Sequence, residues 1–521
     1  MNSDAHDNNI TIDDLPNEVL LAIFSLASAG PQRNIIHISH VCVRWREVSI
    51  HTSILWRKVL LGGDFKEMGM QPSTARDWVK RADTFIRRAK DLPLDLVVEL
   101  EERDISGVDA LVSMIAAYGH KSRSLIGRMS LHYFTICFLP DSPWSALTTL
   151  NLTNTQTSPR SMVSFPDSLD SEGGAFPALR HLTLIHFTLP PNSYRILSNV
   201  RSFTWTGKDE STRDVFRTLR YAPFLEELDI KETRMYGQPH DDPPMLLPHL
   251  IKLNWSYPSR DQVYLFLSSF DTPNLAEINI CVEPWTVEHN QEPRILPRLH
   301  LLSLKVRHES DACCFNSFYL PEITSLNLFY HLLPYAASEA LPGIFPMMNR
   351  GFHNLSSNWK GFGLRKLSLT HFILSGNLIS FIRPLVCLSS IRLEGCHGVD
   401  HFLGSMAEEP HTCPALTELH FINVTIDDVD CLIRLVEVKA GGTNLPSRHE
   451  SLALHRRATT VMPSGSEKSL RPSPASTSKT FVTQPITTLH LIDSEGIWDE
   501  AESVLRATVD SFVCSKSLGR L

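Results

Sequence analysis

Apolar residues recur along this chain in a fixed local phrase. Leu247 to Trp255, LPHLIKLNW, is a clear copy: apolar residues stand at i, i+3 and i+5, and the last two alternate with polar ones. That alternation is what a strand with one buried face requires. The anchors of the copies are Ile126/Met129/Leu131, Leu147/Leu150/Leu152, Leu179/Leu182/Leu184, Val200/Phe203/Trp205, Leu225/Leu228/Ile230, Leu250/Leu253/Trp255 and Leu275/Ile278/Ile280. Six more follow: Leu299/Leu302/Leu304, Ile323/Leu326/Leu328, Leu364/Leu367/Leu369, Leu388/Ile391/Leu393, Leu416/Leu419/Phe421 and Ile486/Leu489/Leu491. First anchors lie 21, 32, 21, 25, 25, 25, 24, 24, 41, 24, 28 and 70 residues apart, so seven of twelve gaps fall between 24 and 28. That is the period of a solenoid in which each unit supplies one strand and one return segment.

Proline supplies an independent mark. Pro177, Pro223, Pro248, Pro273, Pro297, Pro321 and Pro414 each stand two residues before a first anchor, in seven of the thirteen copies. Thirteen positions at the chain's proline frequency of 33 in 521 would give about one. A proline there ends the preceding helix and takes no ladder hydrogen bond from the strand. Helical spacing at Asp214 to Tyr221, Asp261 to Phe270 and Leu378 to Leu385 completes an α/β solenoid over 126–430, with parallel strands on a concave face. Phe329 to Gly363 reads as a Pro/Gly/aromatic loop at its rim.

The period changes ahead of the repeats. In TIDDLPNEVLLAIFSLAS, Asp13 and Asp14 offer capping oxygens, Pro16 stands in the first turn and Glu18 follows. Val19, Leu20, Ile23, Phe24 and Ala27 predict one apolar helical stripe. Gly30-Pro31 stops it; Ile35, Ile36 and Ile38 predict a short second helix, and Val41, Trp45 and Val48 a third. A segment this short buries its own apolar surface poorly, so an exposed stripe calls for a partner. Residues 61–125 read as a joint: a basic helix carrying Trp78, Phe85 and Ile86, a strand at Leu92 to Leu100, then a helix through Val108, Leu111, Val112 and Ile115. Near the other end, 439–484 turns polar and is expected to be a disordered insert. Residues 485–521 then return to a last repeat and a capping helix through Trp498, Val504, Leu505 and Val509.

Composition narrows the function. A net charge of −8 gives no global basic field for nucleic acid. The polar start lacks a signal-peptide pattern, and no apolar run spans a membrane. Ten cysteines without C-x-x-C pairs read as reduced thiols of a cytoplasmic or nuclear protein. There is no P-loop, G-x-G-x-x-G or G-x-S-x-G. His449-Glu450 with His455 misses the H-E-x-x-H spacing, and Asp427, Asp428 and Asp430 read as an acidic loop. Neither an enzyme nor a cofactor or metal site is expected.

Leu15-Pro16, Glu18-Val19-Leu20, Ile23-Phe24, Val41-Cys42, Arg44-Trp45-Arg46 and Leu55-Trp56 resemble an F-box over residues 11–60, departing only at Ile35-Ile36. Together with the degenerate leucine-rich phrase, the chain resembles the F-box/leucine-rich-repeat families common in fungi. The repeat family's Asn or Cys, eight residues after the first anchor, stands clearly only at Cys396; Thr233, Phe372 and Val424 hold that place elsewhere. The resemblance implies that Leu15, Pro16, Val19, Leu20 and Ile23 face the Skp-type adaptor of a cullin–RING ubiquitin ligase, with Val41, Cys42 and Trp45 supporting or joining them. It implies a substrate receptor, with outward strand residues Glu227, Asp229, Lys252, Asn254, Glu277 and Asn279 as candidates for holding an unknown protein cargo. The other reading is a non-catalytic scaffold whose N-terminal helices only cap the solenoid.

Overall fold

The computed structural model describes residues 12, 15–28, 33–62, 75–100, 108–130, 133–134, 137–138, 144–155, 176–187, 196–207, 209–211, 218–231, 234–236, 244–256, 263, 266–267, 269–281, 294–306, 318–330, 363–374, 376–441, 483–496 and 499–515. The chain divides into two compact units, Met1–Leu275 and Ala276–Leu521.

The first unit opens with helices α1 (Asn17–Ser28), α2 (Arg33–Ile38) and α3 (Val43–His51), then a 3-10 turn at Ser53–Trp56 and strand β1 (Lys58–Gly62). Helix α4 (Ala75–Ala89) leads to β2 (Leu94–Glu99), and α5 (Val108–Tyr118) leads to β3 (Ser122–Met129). Strands β4 (Thr149–Asn154), β5 (His181–Ile185), β6 (Ser202–Thr206), β7 (Glu227–Lys231) and β8 (Lys252–Ser256) follow. Each pairs in parallel with the next in chain order. A parallel neighbour requires the chain to return to the same end of the sheet, and α4 and α5 make that return between the first three strands. The sheet thus begins at Lys58, well before residue 126, because Val59 and Leu61 already bury their side chains as repeat anchors do.

The first copy of the phrase was misaligned. Register sets Leu125 beside Leu150 and Gly127 beside Leu152, while Ile126 stands beside Asn151 and is 42% exposed. Buried Ser122 takes the first inward place, its hydroxyl donating to the Tyr118 carbonyl at 3.0 Å. Gly127 leaves room for Phe134, whose ring would lie 2.9 Å from a Cβ there. Leu131 lies outside the described residues.

The prolines belong to a turn rather than to a helix end. The N–H of Leu250 donates to Leu247 at 3.3 Å, that of Leu225 to Ala222 at 3.2 Å and that of Leu179 to Phe176 at 3.1 Å. Each is a four-residue turn with proline second, where its fixed φ fits and no N–H is needed. The first anchor closes the turn. The next two N–H groups then share one carbonyl of the preceding repeat, as Ile251 and Lys252 do on Glu226 at 2.8 and 3.0 Å.

The second unit holds β9 (Glu277–Cys281), β10 (Leu301–Val306), β11 (Ser325–Tyr330), β12 (Lys366–Thr370), α6 (Gly376–Ile382), β13 (Ser390–Glu394) and α7 (Val399–Glu408). It continues with β14 (Glu418–Ile422), α8 (Val429–Lys439), β15 (Thr488–Ile492), α9 (Asp499–Thr508) and β16 (Ser511–Ser515). These strands also pair in parallel in chain order. The expected capping helix is therefore followed by one more strand. Phe329 and Tyr330, expected to open a loop, pair in β11; 331–362 lie outside the described residues.

Strand ends in this unit repeat one device. His371, Gly395, Asn423 and Asp493 have φ of 63°, 58°, 50° and 52°, and their N–H groups donate to Glu394, Ile422, Ile492 and Ser515, each at the end of the next strand. The residue after each turns inward: Phe372, Cys396, Val424 and Ser494 are all buried. The Cys396 thiol donates to the Leu369 carbonyl and the Ser494 hydroxyl to the Phe421 carbonyl, both at 3.3 Å. Ser494 thus does at its strand what the sequence reading found only at Cys396, while Phe372 and Val424 fill the place with apolar bulk. Burial pushes the Cys396 thiol up to about 11 and those of Cys137 and Cys413 up to about 12.

Both ends of the range expected to be a disordered insert are ordered. Lys439 is the last residue of α8 and only 1% exposed, its ammonium donating to the Thr412 and Cys413 carbonyls at 2.8 and 2.9 Å. Burial lowers its pKa. The N–H of Gln484 donates to Pro414 at 2.9 Å, so both flanks are fixed on one turn, and 442–482 lie outside the described residues.

Candidate functional site

Helix α1 carries two apolar lines, not one stripe. Leu20 and Phe24, at i and i+4, are fully buried. Val19, Ile23 and Leu26 follow the same spacing one residue earlier and are 41%, 39% and 79% exposed. The inward line packs on the module itself: the Phe24 ring lies 5.0 Å from that of Trp45. Cys42 caps α3, its sulfur accepting from the Trp45 N–H at 3.4 Å. Arg44 ties α3 back to the start of α1 through the Leu15 carbonyl and the Asn17 side-chain oxygen, the latter at 2.9 Å. Arg46 donates to the Ser39 carbonyl at 3.0 Å. Trp56 donates to the Ser49 carbonyl at 2.7 Å, packs on Phe85 of α4 at 4.8 Å and carries the Arg88 guanidinium 4.3 Å over its ring.

This geometry sorts the candidate adaptor residues. Pro16, Val19, Ile23 and Val41 are exposed, the last by 60%. Leu15, Cys42 and Trp45 are half-buried. Leu20 is a correction: at 0% exposure it belongs to the module's own core and presents nothing outward. Leu26 and Val43, 68% exposed, were missed. Their signal was in the sequence, since Val19, Ile23 and Leu26 fall at i, i+4 and i+7, but it was merged with the line of Leu20 and Phe24. Of the nineteen large apolar side chains exposed among the described residues, seven (Ile12, Val19, Ile23, Leu26, Val41, Val43 and Ile54) lie in residues 12–62. Scattered exposure needs no explanation, but this concentration in about a seventh of the described residues marks an interaction surface.

On the sheet, Glu227 and Asp229 of β7 stand directly beside Lys252 and Asn254 of β8 on the open face. Lys231 holds Asp229 at 2.9 Å, and the Ser202 hydroxyl lies 3.5 Å from Glu227. Glu277 and Asn279 stand on β9, in the second unit, both half-buried. Further along that unit, His420 and His490 face each other across β14 and β15, with Nδ1 atoms 3.1 Å apart and rings at 4.6 Å. Asp427 and Asp428 each give a backbone N–H to the Asp400 carboxylate at 3.2 and 3.1 Å, so Asp400 fixes the loop before α8. Among the described residues no helix is long and apolar enough to cross a membrane.

Residues 12–62 match the family model described as F-box-like. No curated protein matches the chain. The matched span begins at the exposed Ile12, takes in both lines of α1 and ends on the last residue of β1. The chain therefore carries an F-box-like domain whose final residues are already the first strand of a parallel sheet.

Proposed function

We propose that the chain is a substrate-recognition subunit of an SCF-type cullin–RING ubiquitin ligase. In this reading the F-box-like helices dock a Skp-type adaptor, and the repeat sheet, of leucine-rich type, holds a protein cargo. The protein binds and does not catalyse; ubiquitin transfer belongs to other subunits. The observation that carries it is the pairing of an F-box-like match with the outward line Val19, Ile23 and Leu26. The capping role accounts for Trp56 on Phe85 but leaves that line in water.

Co-purification of the adaptor and cullin with the tagged chain is the test. Ile23→Asp with Leu26→Asp should abolish recovery of both while the chain stays folded, because a charge placed in an apolar interface loses its hydration. Leu20→Ala should act differently, costing about 2–5 kcal/mol of stability as a core truncation. Full recovery by a folded double variant would refute adaptor docking through α1.

A further inference from the structure

The open face of the first unit holds a shallow depression of about 510 Å³ across β1 to β5. Registered rows build it. Lys58, Asp95, Ser124, Thr149 and His181 stand side by side on the five strands, and Val97 lies beside Ile126 in the next row. Arg123, Thr148 and Arg180, just ahead of these positions, complete the rim. Three fixed cations, Lys58, Arg123 and Arg180, therefore face one carboxylate. That carboxylate is already engaged: Asp95 takes Arg57 at 3.0 Å and Arg123 at 3.0 Å. Arg180 is held by the Leu179 and Asn199 carbonyls at 3.0 and 3.3 Å, with no carboxylate on it among the described residues. A chain of net charge −8 thus presents a locally basic recess. Its floor is aliphatic, because Ile126 points outward and serves no part of the core.

We propose that this recess seats an anionic segment of a partner protein. A carboxylate or phosphate meets Arg180 and Arg123, whose planar guanidinium groups suit both anions. A neighbouring aliphatic side chain rests on Ile126 and Val97. The lining offers no Phe, Tyr or Trp on which bases could stack, which favours a peptide over a nucleic acid. That the partner is cargo rests on the receptor reading; the recess itself does not depend on the adaptor.

The test presents the purified 521-residue chain to an immobilised library of random peptides. One position is fixed in turn as Asp, Glu, phosphoserine, Ser, Ala or Lys, and its neighbour as Leu or Ala. The wild-type chain selects the anionic residues with Leu beside them, and the selection weakens with salt. Arg180→Glu and, separately, Ile126→Asp reduce it by about tenfold; the second variant touches only an exposed side chain, so folding is kept. The phosphoserine arm against the Asp and Glu arms tells which anion is preferred. Absence of any anionic selection overturns the proposal, as does selection untouched by both variants or tighter binding of a single-stranded oligonucleotide than of any peptide. Adaptor binding is measured on the same proteins. A wild-type chain that selects anionic peptides but ignores the adaptor refutes the ligase reading and leaves the recess standing.

Discussion

His420 shows how one residue's surroundings set a property of the whole chain. Burial, then the adjacent His490, hold its pKa below 6.5; Glu418 pulls it up and Arg392 pushes it down. The two Nδ1 atoms lie 3.1 Å apart, a contact in which one nitrogen donates and the other accepts. A protonated His420 can only donate there. The folded chain takes this proton less readily than the unfolded chain, so unfolding gains a proton below pH 6.5. Stability from this group is complete above that pH and is lost as pH falls through it toward the lower folded value. Melting temperatures recorded between about pH 7.5 and 5.5 should fall less steeply for His420→Gln than for the wild type. Equal slopes would show that the pair contributes nothing to the acid response. The same scale explains the misreading of Ile126. Periodicity sees apolar residues only, and here the inward places went to Ser122, which meets a carbonyl, and to Gly127, which yields its space to Phe134.

Elements were legible in proportion to how little they depend on their neighbours. Strands such as β8, with Leu253 and Trp255 buried and Lys252 and Asn254 outward, follow from alternation alone. The turn before each strand was visible as a proline, but its role was not, because a hydrogen bond from Leu250 to Leu247 leaves no mark in composition. Strands β1 and β16 were missed because neither carries the full phrase. Helix α1 was found, but its two lines were merged; Trp45 packs on Phe24, while Ile23 stays 39% exposed. Trp56 is the pivot of the joint, binding Ser49 behind it and Phe85 ahead. Trp56→Ala should cost about 3–5 kcal/mol and let the N-terminal helices unfold before the strands of their unit. Hydrogen exchange would register this as protection lost from 17–56 ahead of β2 and β3; simultaneous loss would mean the joint does not couple them.

At the scale of the molecule, fold class was read from spacing and the F-box-like region from a motif, and the structure agrees with both in outline: helices first, then parallel strands in chain order. Binding surfaces were harder to read. Whether an apolar side chain on a short helix is core or contact depends on what packs against it, as Leu20 and Ile23 demonstrate three residues apart. The basic recess was invisible in sequence for a similar reason, since Lys58, Arg123 and Arg180 are far apart in the chain and meet only through register. In the proposed function, residues 12–62 dock an adaptor through the outward line of α1. Calorimetric titration of a purified Skp-type adaptor into the chain tests it most directly. Docking through that line gives a one-to-one complex whose binding carries a negative heat-capacity change, as burial of apolar surface requires, and no heat of binding for a folded Ile23→Asp/Leu26→Asp variant. Absence of binding by the folded wild-type chain, or equal affinity in the variant, would contradict it.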